Sequence, residues 1–289
     1  MNVARHPAEL EPQQQRAATI GIFDGVHRGH RQILEAVGAT GLRSLVVTFE
    51  PHPRTVRGNR VELLTTTERR LELLEETGID DVLLLHFDGD LSLLTPDAFA
   101  DSILRASGVQ VVVEGDGFRF GRQRSGDLDL LARLGFDVRR VSLVDDISST
   151  NIRQLLVAGD VAQAASLLGR PHEVSGTVVL GDQRGGTLGF PTANLVPPLD
   201  LLVPKNGIYA GWALGHRVAV SIGTNPHYGG TERRVEAFLL DFQGDLYGRP
   251  LVLELWERLR DEAVFGSEQE LIAAIAGDVE RTRAAVRPV

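Results

Sequence analysis

In the segment Gly21 to Leu34, GIFDGVHRGHRQIL, two of the chain's eight histidines, His27 and His30, flank a single glycine where an apolar run gives way to a helical pattern. If a helix opens near His27, the two imidazoles lie three residues apart on one face, with about 5–6 Å between their Cβ atoms. Such a pair can donate hydrogen bonds to a phosphorus centre and to a departing pyrophosphate, and Gly29 between them lets a phosphate approach the backbone. Gly21, Phe23 and Asp24 share this turn and are grouped with it as ATP-binding residues. Half of a zinc site is the rival reading, but no third ligand stands out and the chain has no cysteine. Taken alone, the motif is equally a helix start with two ordinary exposed histidines.

Three further groups have the right chemistry. ISSTNIRQLL, Ile147 to Leu156, enters another helix, with Ser148, Ser149 and Thr150 able to cap it and Arg153 one turn in, within reach of an anion. In isolation this reads as a capping motif with a salt-bridged arginine. GDQRGGTLGFPTANL, Gly181 to Leu195, has a glycine-rich start (Gly181, Arg184 and Gly189 among its residues) suited to folding over phosphates, although no Walker lysine follows and a plain hairpin is the alternative. In its extended PTAN end, Thr192 and Asn194 point to one face, and a hydroxyl with an amide carbonyl suits Mg²⁺ bridging ATP phosphates. Glu236 interrupts the apolar run RRVEAFLLDF, where a carboxylate can accept a proton from an attacking hydroxyl. The alternative is an outward-facing strand residue paired with Arg233 or Arg234.

The elements that must position these groups fall into two rhythms. Apolar runs alternate with helical patterns from AATIGIF to VQVVVE, which predicts an α/β domain with a parallel sheet, residues 1–168. After Leu168 to Pro171 come short β-rich runs joined by turns, which predict a small barrel or sandwich closed by a terminal amphipathic helix, residues 169–289. A net charge of −9 and pI near 5.4 argue against broad nucleic-acid binding. The absence of cysteine excludes thiol nucleophiles and disulfides. The first sixteen residues have no apolar core of a leader, and no window approaches a membrane span, so a cytoplasmic protein with no membrane partner is expected.

TIGIFDGVHRGH, VTFEPHPR, FRFGRQRSGD and ISSTNIR together resemble the adenylyltransferase module of the bacterial bifunctional riboflavin kinase/FAD synthetase family, within the HxGH nucleotidyltransferase superfamily. LLGRPHEVSGTVVLGDQRGGTLGFPTANL, PKNGIYAG, GTNP, VEAFLLDF, LYG and LRDEAVF follow in the order of its kinase module. The resemblance implies that riboflavin is phosphorylated to FMN and FMN adenylylated to FAD with release of pyrophosphate, with ATP and Mg²⁺ in both steps. It assigns His27, His30, Ser148, Ser149, Thr150 and Arg153 to ATP and puts His52 and Arg54 on a loop near phosphate or flavin. It further implies a six-stranded barrel, Mg²⁺ on Thr192 and Asn194, Glu236 as general base, and flavin held partly around Arg260. Three positions depart from the family's usual residues: Gly117 for an acid, Gly186 for a base and His227 for threonine. A paralogue with one module weakened or repurposed, and a flavin-binding regulator without turnover, are the rival readings. The sequence leaves a homo-oligomer open.

Overall fold

Apolar strand runs separated by amphipathic helices can cover both faces of a sheet only when the strands run parallel. In the computed structural model the first half does this; residues 1–56, 58, 60–142, 147–181, 190–224 and 233–288 are described. Six strands, β1 (Asn2–Ala4), β2 (Arg16–Ile20), β3 (Arg43–Glu50), β4 (Asp81–His86), β5 (Val109–Gly115) and β6 (Asp137–Val141), form one sheet in the order β1-β4-β3-β2-β5-β6. Every neighbouring pair is parallel. β2 is buried at all five positions, which explains why it reads as a continuous apolar run rather than an alternation. The N-terminal segment supplies the edge strand β1, and the charged β6 closes the other edge.

At the N-terminal ends of these strands, Asp81 accepts from the buried Arg16 at 2.9 Å and from Arg43 at 2.7 and 3.0 Å. Burial works to raise the Asp81 carboxyl, but those hydrogen bonds win and hold it below its ordinary value. At the opposite ends, the order reverses at β2, whose neighbours β3 and β5 depart in opposite directions along the sheet. A doubly wound sheet opens its ligand crevice at such a point. The histidine motif follows β2 directly.

The second half closes a barrel from β7 (His172–Val179), β8 (Ala193–Val196), β9 (Gly207–Ala213), β10 (His216–Thr224), β11 (Arg233–Leu239) and β12 (Pro250–Arg260), in the order β10-β11-β8-β7-β12-β9. All pairings are antiparallel, and closure leaves no free edge. Along β11, Val235, Ala237 and Leu239 are buried and Glu236 and Phe238 alternate with them, so the interior and exterior faces are fixed by strand period. The helix Glu268–Ala284 ends the chain, its first turn capped by Ser267 Oγ at 3.2 Å from Glu270 N.

Two compact units result: residues 1–62 with 66–147, and residues 63–65 with 148–289. The stretch 148–168, which the sequence reading groups with the first module, contributes Ile152, Leu156, Ala164 and Leu168 to the same buried cluster as the barrel residues Val174, Val220 and Leu253. Among the described residues no helix is long and apolar enough to cross a membrane.

Candidate active sites

The turn between β2 and the helix Arg28–Gly38 is buried, with Phe23 and Asp24 each 2% exposed. His27 is the N-cap of that helix: its Nδ1 accepts the His30 N–H at 3.2 Å. An accepting Nδ1 leaves Nε2–H as the donor that the His27 ring presents. The His27 and His30 rings stack with centroids 3.5 Å apart and planes 15° from parallel, and the Phe23 ring lies 4.9 Å from His30. Burial and the nearby His27 hold His30 well below its ordinary pKa, and its buried Nδ1 has no hydrogen-bond partner among the described residues. A buried, unpaired imidazole nitrogen at a strand-order reversal suits a polar ligand. Gly29 fits closely here, since a Cβ would lie 3.3 Å from His27 Nδ1 and 3.4 Å from the Ile147 carbonyl, so that a side chain would press on the His27 ring.

Around this turn are three residues that the sequence reading did not assign to the site. Arg70 Nη1 and Thr48 Oγ1 both donate to the Ile22 carbonyl, at 2.9 and 3.1 Å. Glu114, at the end of β5, accepts from Thr19 Oγ1 at 2.9 Å and from the Ile20 N–H, filling the place where the β2–β5 pairing stops after Ala18 and Val112. Burial pushes the Glu114 carboxyl up to about 8 despite those two donors. Of the second loop, His52 Nδ1 accepts the Arg54 N–H at 3.1 Å at the start of the turn Pro53–Val56, and Arg54 is exposed.

In the other unit, Ser148 caps the helix Ser149–Ala158, its hydroxyl accepting from Asn151 N at 3.2 Å. Ser149 and Thr150 occupy the first turn and Arg153 is half-buried one turn in.

On the barrel, Asn194 of β8 is the register partner of Glu236 of β11, and Glu236 is the partner of Ser221 of β10. Antiparallel partners put their Cβ atoms about 4.5–5.5 Å apart on one face. The amide, the carboxylate and the hydroxyl thus form one row, and Ser221 is a member that only the register discloses. Gly181 makes room for it: a Cβ there would lie 2.0 Å from Asn194 Nδ2. Arg233 is committed to Asn206 and to the carbonyls of Val203 and Pro204. Thr192 lines a cavity of about 140 Å³ with Pro191, Leu239, Phe242, Asp245 and Tyr247. Oxygen donors of Thr192 and Asn194, with Glu236 alongside, fit a hard cation that also takes phosphate and water ligands. Arg260 is engaged within the chain: Nε and Nη2 meet Asp278 at 3.1 and 2.7 Å, and Nη1 donates to the Asp261 carbonyl at 3.0 Å. Arg184, Gly186, Gly189 and His227 lie outside the described residues.

A riboflavin kinase family model matches residues 168–286 and an FAD synthetase model residues 9–153. The bifunctional riboflavin kinase/FMN adenylyltransferase of Escherichia coli K12 is 39% identical over 293 residues, covering 94% of this chain and 93% of its own. Those of Listeria monocytogenes and Pseudomonas fluorescens are 35% and 37% identical, covering 93% and 100% of this chain and 92% and 99% of theirs. A crystal structure of a macrolide-efflux protein from Streptococcus pneumoniae superposes with a TM-score of 0.89 at 29% identity, covering 97% of this chain and 98% of that one. With both family models matched in order and relatives this similar along nearly the whole length, the chain belongs to the bifunctional riboflavin kinase/FMN adenylyltransferase family.

Proposed function

We propose that the chain performs two consecutive reactions, one on each unit: riboflavin and ATP give FMN and ADP on the barrel, and FMN and ATP give FAD and pyrophosphate at the histidine turn. The supporting observation is that the stacked donors His27 and His30 lie in the first unit, whereas Asn194 and Glu236, partners in strand register, lie in the second.

For adenylyl transfer, an FMN phosphate oxygen attacks the α-phosphorus of ATP as the bond to pyrophosphate breaks. His27 donates through Nε2–H and His30 through its own ring N–H to the oxygens that gain charge, with no covalent intermediate. Ser148, Ser149, Thr150 and Arg153 are assigned to ATP, and His52 and Arg54 to phosphate or flavin, on the family resemblance. For phosphorylation, Glu236 takes the proton of the riboflavin hydroxyl as that oxygen attacks the γ-phosphorus. Thr192 and Asn194 would hold Mg²⁺, which when bound offsets the charge of the ATP phosphates. The cavity beside Thr192 is assigned to ATP, its aliphatic walls to the base and its polar rim to the ribose. Both activities are placed in the cytoplasm.

The decisive experiment separates the reactions. His30→Ala should abolish FAD formation and spare FMN formation from riboflavin, whereas Glu236→Gln should abolish FMN formation and spare FAD formation when FMN is supplied. Chromatography of the flavins reads both, and loss of both activities in each folded variant would refute the assignment of one reaction to each unit.

A further inference from the structure

The turn that carries the histidines has a backbone that would not hold its shape unaided. Phe23 has φ 55°, Gly25 φ 84° and Val26 φ 37°, all in the left-handed region, where a β-branched residue such as Val26 is rarely found. Such conformations persist only where the surroundings over-determine them. Here the last ordinary residue before the turn, Ile22, has its carbonyl held by Thr48 and by Arg70. Arg70 does more than this, because its Nη2 also donates to the Phe49 carbonyl at 3.2 Å, one residue before the end of β3.

Arg70 is 5% exposed and sits on the helix Thr67–Glu75 among Leu73 and Leu74, a place where an apolar side chain would cost far less desolvation. Burial pushes its guanidinium down from its ordinary range, and Asp24, Glu50 and Glu68 push back. Asp24 belongs to the histidine turn and Glu50 to the end of β3, so two of the three carboxylates that oppose this shift lie on the segments Arg70 bridges, and the third, Glu68, lies on its own helix. A planar fork can donate to two carbonyls at once in fixed geometry, which a lysine ammonium on a flexible stem does not.

We propose that Arg70 is a positioning residue for adenylyl transfer, bridging the Ile22 and Phe49 carbonyls so as to fix the turn of His27 and His30 relative to the loop of His52 and Arg54. The inference rests on the reading of that turn as the adenylyl-transfer site. Arg70 acts through the backbone, and its removal lets the donors drift from the reacting phosphate. Misplacement by about 1 Å can cost about 100-fold in rate.

The test compares Arg70→Met, Arg70→Lys and Leu74→Ala, the last a buried change on the same helix that lowers stability without touching either carbonyl. Arg70→Met should lower kcat for FAD formation by about 100-fold, Arg70→Lys should lie between it and the parent, and Leu74→Ala should leave kcat unchanged at a temperature where it is folded. FMN formation should be unchanged in all three. Amide hydrogen exchange should quicken at residues 21–27 and 50–54 in the Arg70 variants alone. Normal kcat in Arg70→Met, or a loss shared equally by Leu74→Ala, overturns the proposal; if Arg70→Met does not fold, normal kcat in Arg70→Lys does so. Should His30→Ala retain FAD formation, the transfer-site reading fails by that result, while the exchange pattern still tells whether Arg70 bridges the two segments.

Discussion

The barrel and the sheet unit hold their reactive groups by different means. On the barrel, Asn194 and Glu236 face each other because β8 and β11 are paired in that register, and the ladder that fixes it is made of backbone groups. In the sheet unit, His27 and His30 hang from a turn of left-handed residues pinned by side chains: Thr48, Arg70 and, one step earlier on β2, Glu114. A ladder tolerates most side-chain changes, whereas a pinned turn depends on a few buried polar groups whose loss leaves unpaired partners. The contrast predicts that mutational and pH sensitivity is concentrated in different places in the two units.

The largest effect should come from separating the two jobs of His27. It caps its helix through Nδ1 and is proposed to donate to phosphate through Nε2. Asparagine is among the best N-caps, so His27→Asn should keep the helix start through Oδ1, while its amide, shorter than the imidazole, no longer presents a donor at the place of Nε2. Loss of one such donor costs about 10²–10³ in kcat. FAD formation should fall by that factor while the thermal midpoint of the sheet unit, followed by hydrogen exchange, stays near that of the parent. If His27→Asn keeps full FAD formation, the cap is all that His27 provides.

How much of this was legible follows from the same contrast. Alternation along RRVEAFL placed Glu236 on the face opposite Val235 and Ala237, and the small and oxygen-bearing residues of PTANL marked Asn194, but only the strand pairing shows that these two are neighbours. HRGH was legible because its residue types are rare together; that Nδ1 of His27 would be spent on capping was not. Arg70 looks like one more surface charge in TERRLELLEE, yet it stands three and four residues before the buried Leu73 and Leu74, an arginine within the apolar stripe, and that spacing was the available signal. Its neighbour Arg69 points the other way and pairs with Glu72 and Glu76. Glu114 likewise breaks a strand that is otherwise apolar at its buried positions. Arg260 misleads in the opposite sense, because a motif can suggest a flavin contact but cannot show that Asp278, eighteen residues later, closes on its guanidinium.

The second prediction uses pH to pull the units apart. An unfolded Glu114 titrates near 4.5 and the folded one near 8, because burial outweighs its hydrogen bonds. Between those values the folded unit keeps a proton that the unfolded chain has lost, so stability falls as pH rises. Below pH 6.5 the buried, neutral His30 acts in the opposite sense, which leaves pH 6.5 to 8 as the window where Glu114 acts without it. Over that window the sheet unit should lose about 2 kcal/mol. In the barrel, burial lowers His172 from 6.5 to about 4, its Nε2 hydrogen-bonded to the Leu202 carbonyl at 3.0 Å. Its contribution is complete above pH 6.5 and is lost as pH falls towards 4, about 3 kcal/mol in all. Both tryptophans, Trp212 and Trp256, lie in the barrel, so their fluorescence follows that unit in denaturant while exchange in β2 and β5 follows the other. Glu114→Gln should flatten the alkaline slope of the sheet unit alone. A common pH profile for both units would mean that they unfold together.

The smallest effect concerns Gly117, where the family usually has an acid. Two nearby carboxylates can be weighed as substitutes. Glu114 is turned inward onto Thr19 and Ile20, and Asp116 is exposed with Arg140 at 3.6 Å, so of the two Asp116 is the one open to solvent. Gly117 itself is exposed, has no neighbour within 4 Å of a built Cβ and does not use the left-handed region, so an aspartate fits without strain. It would also restrict the backbone that glycine leaves free. Gly117→Asp should therefore raise FAD formation by a few-fold, through KM for FMN more than through kcat, and leave FMN formation unchanged. Because the site permits the side chain, a loss of FAD formation in the folded variant cannot be put down to steric clash. It would mean that a negative charge at this end of β5 opposes the acceptor, and that the loop is matched to a more anionic partner in this chain than in its relatives.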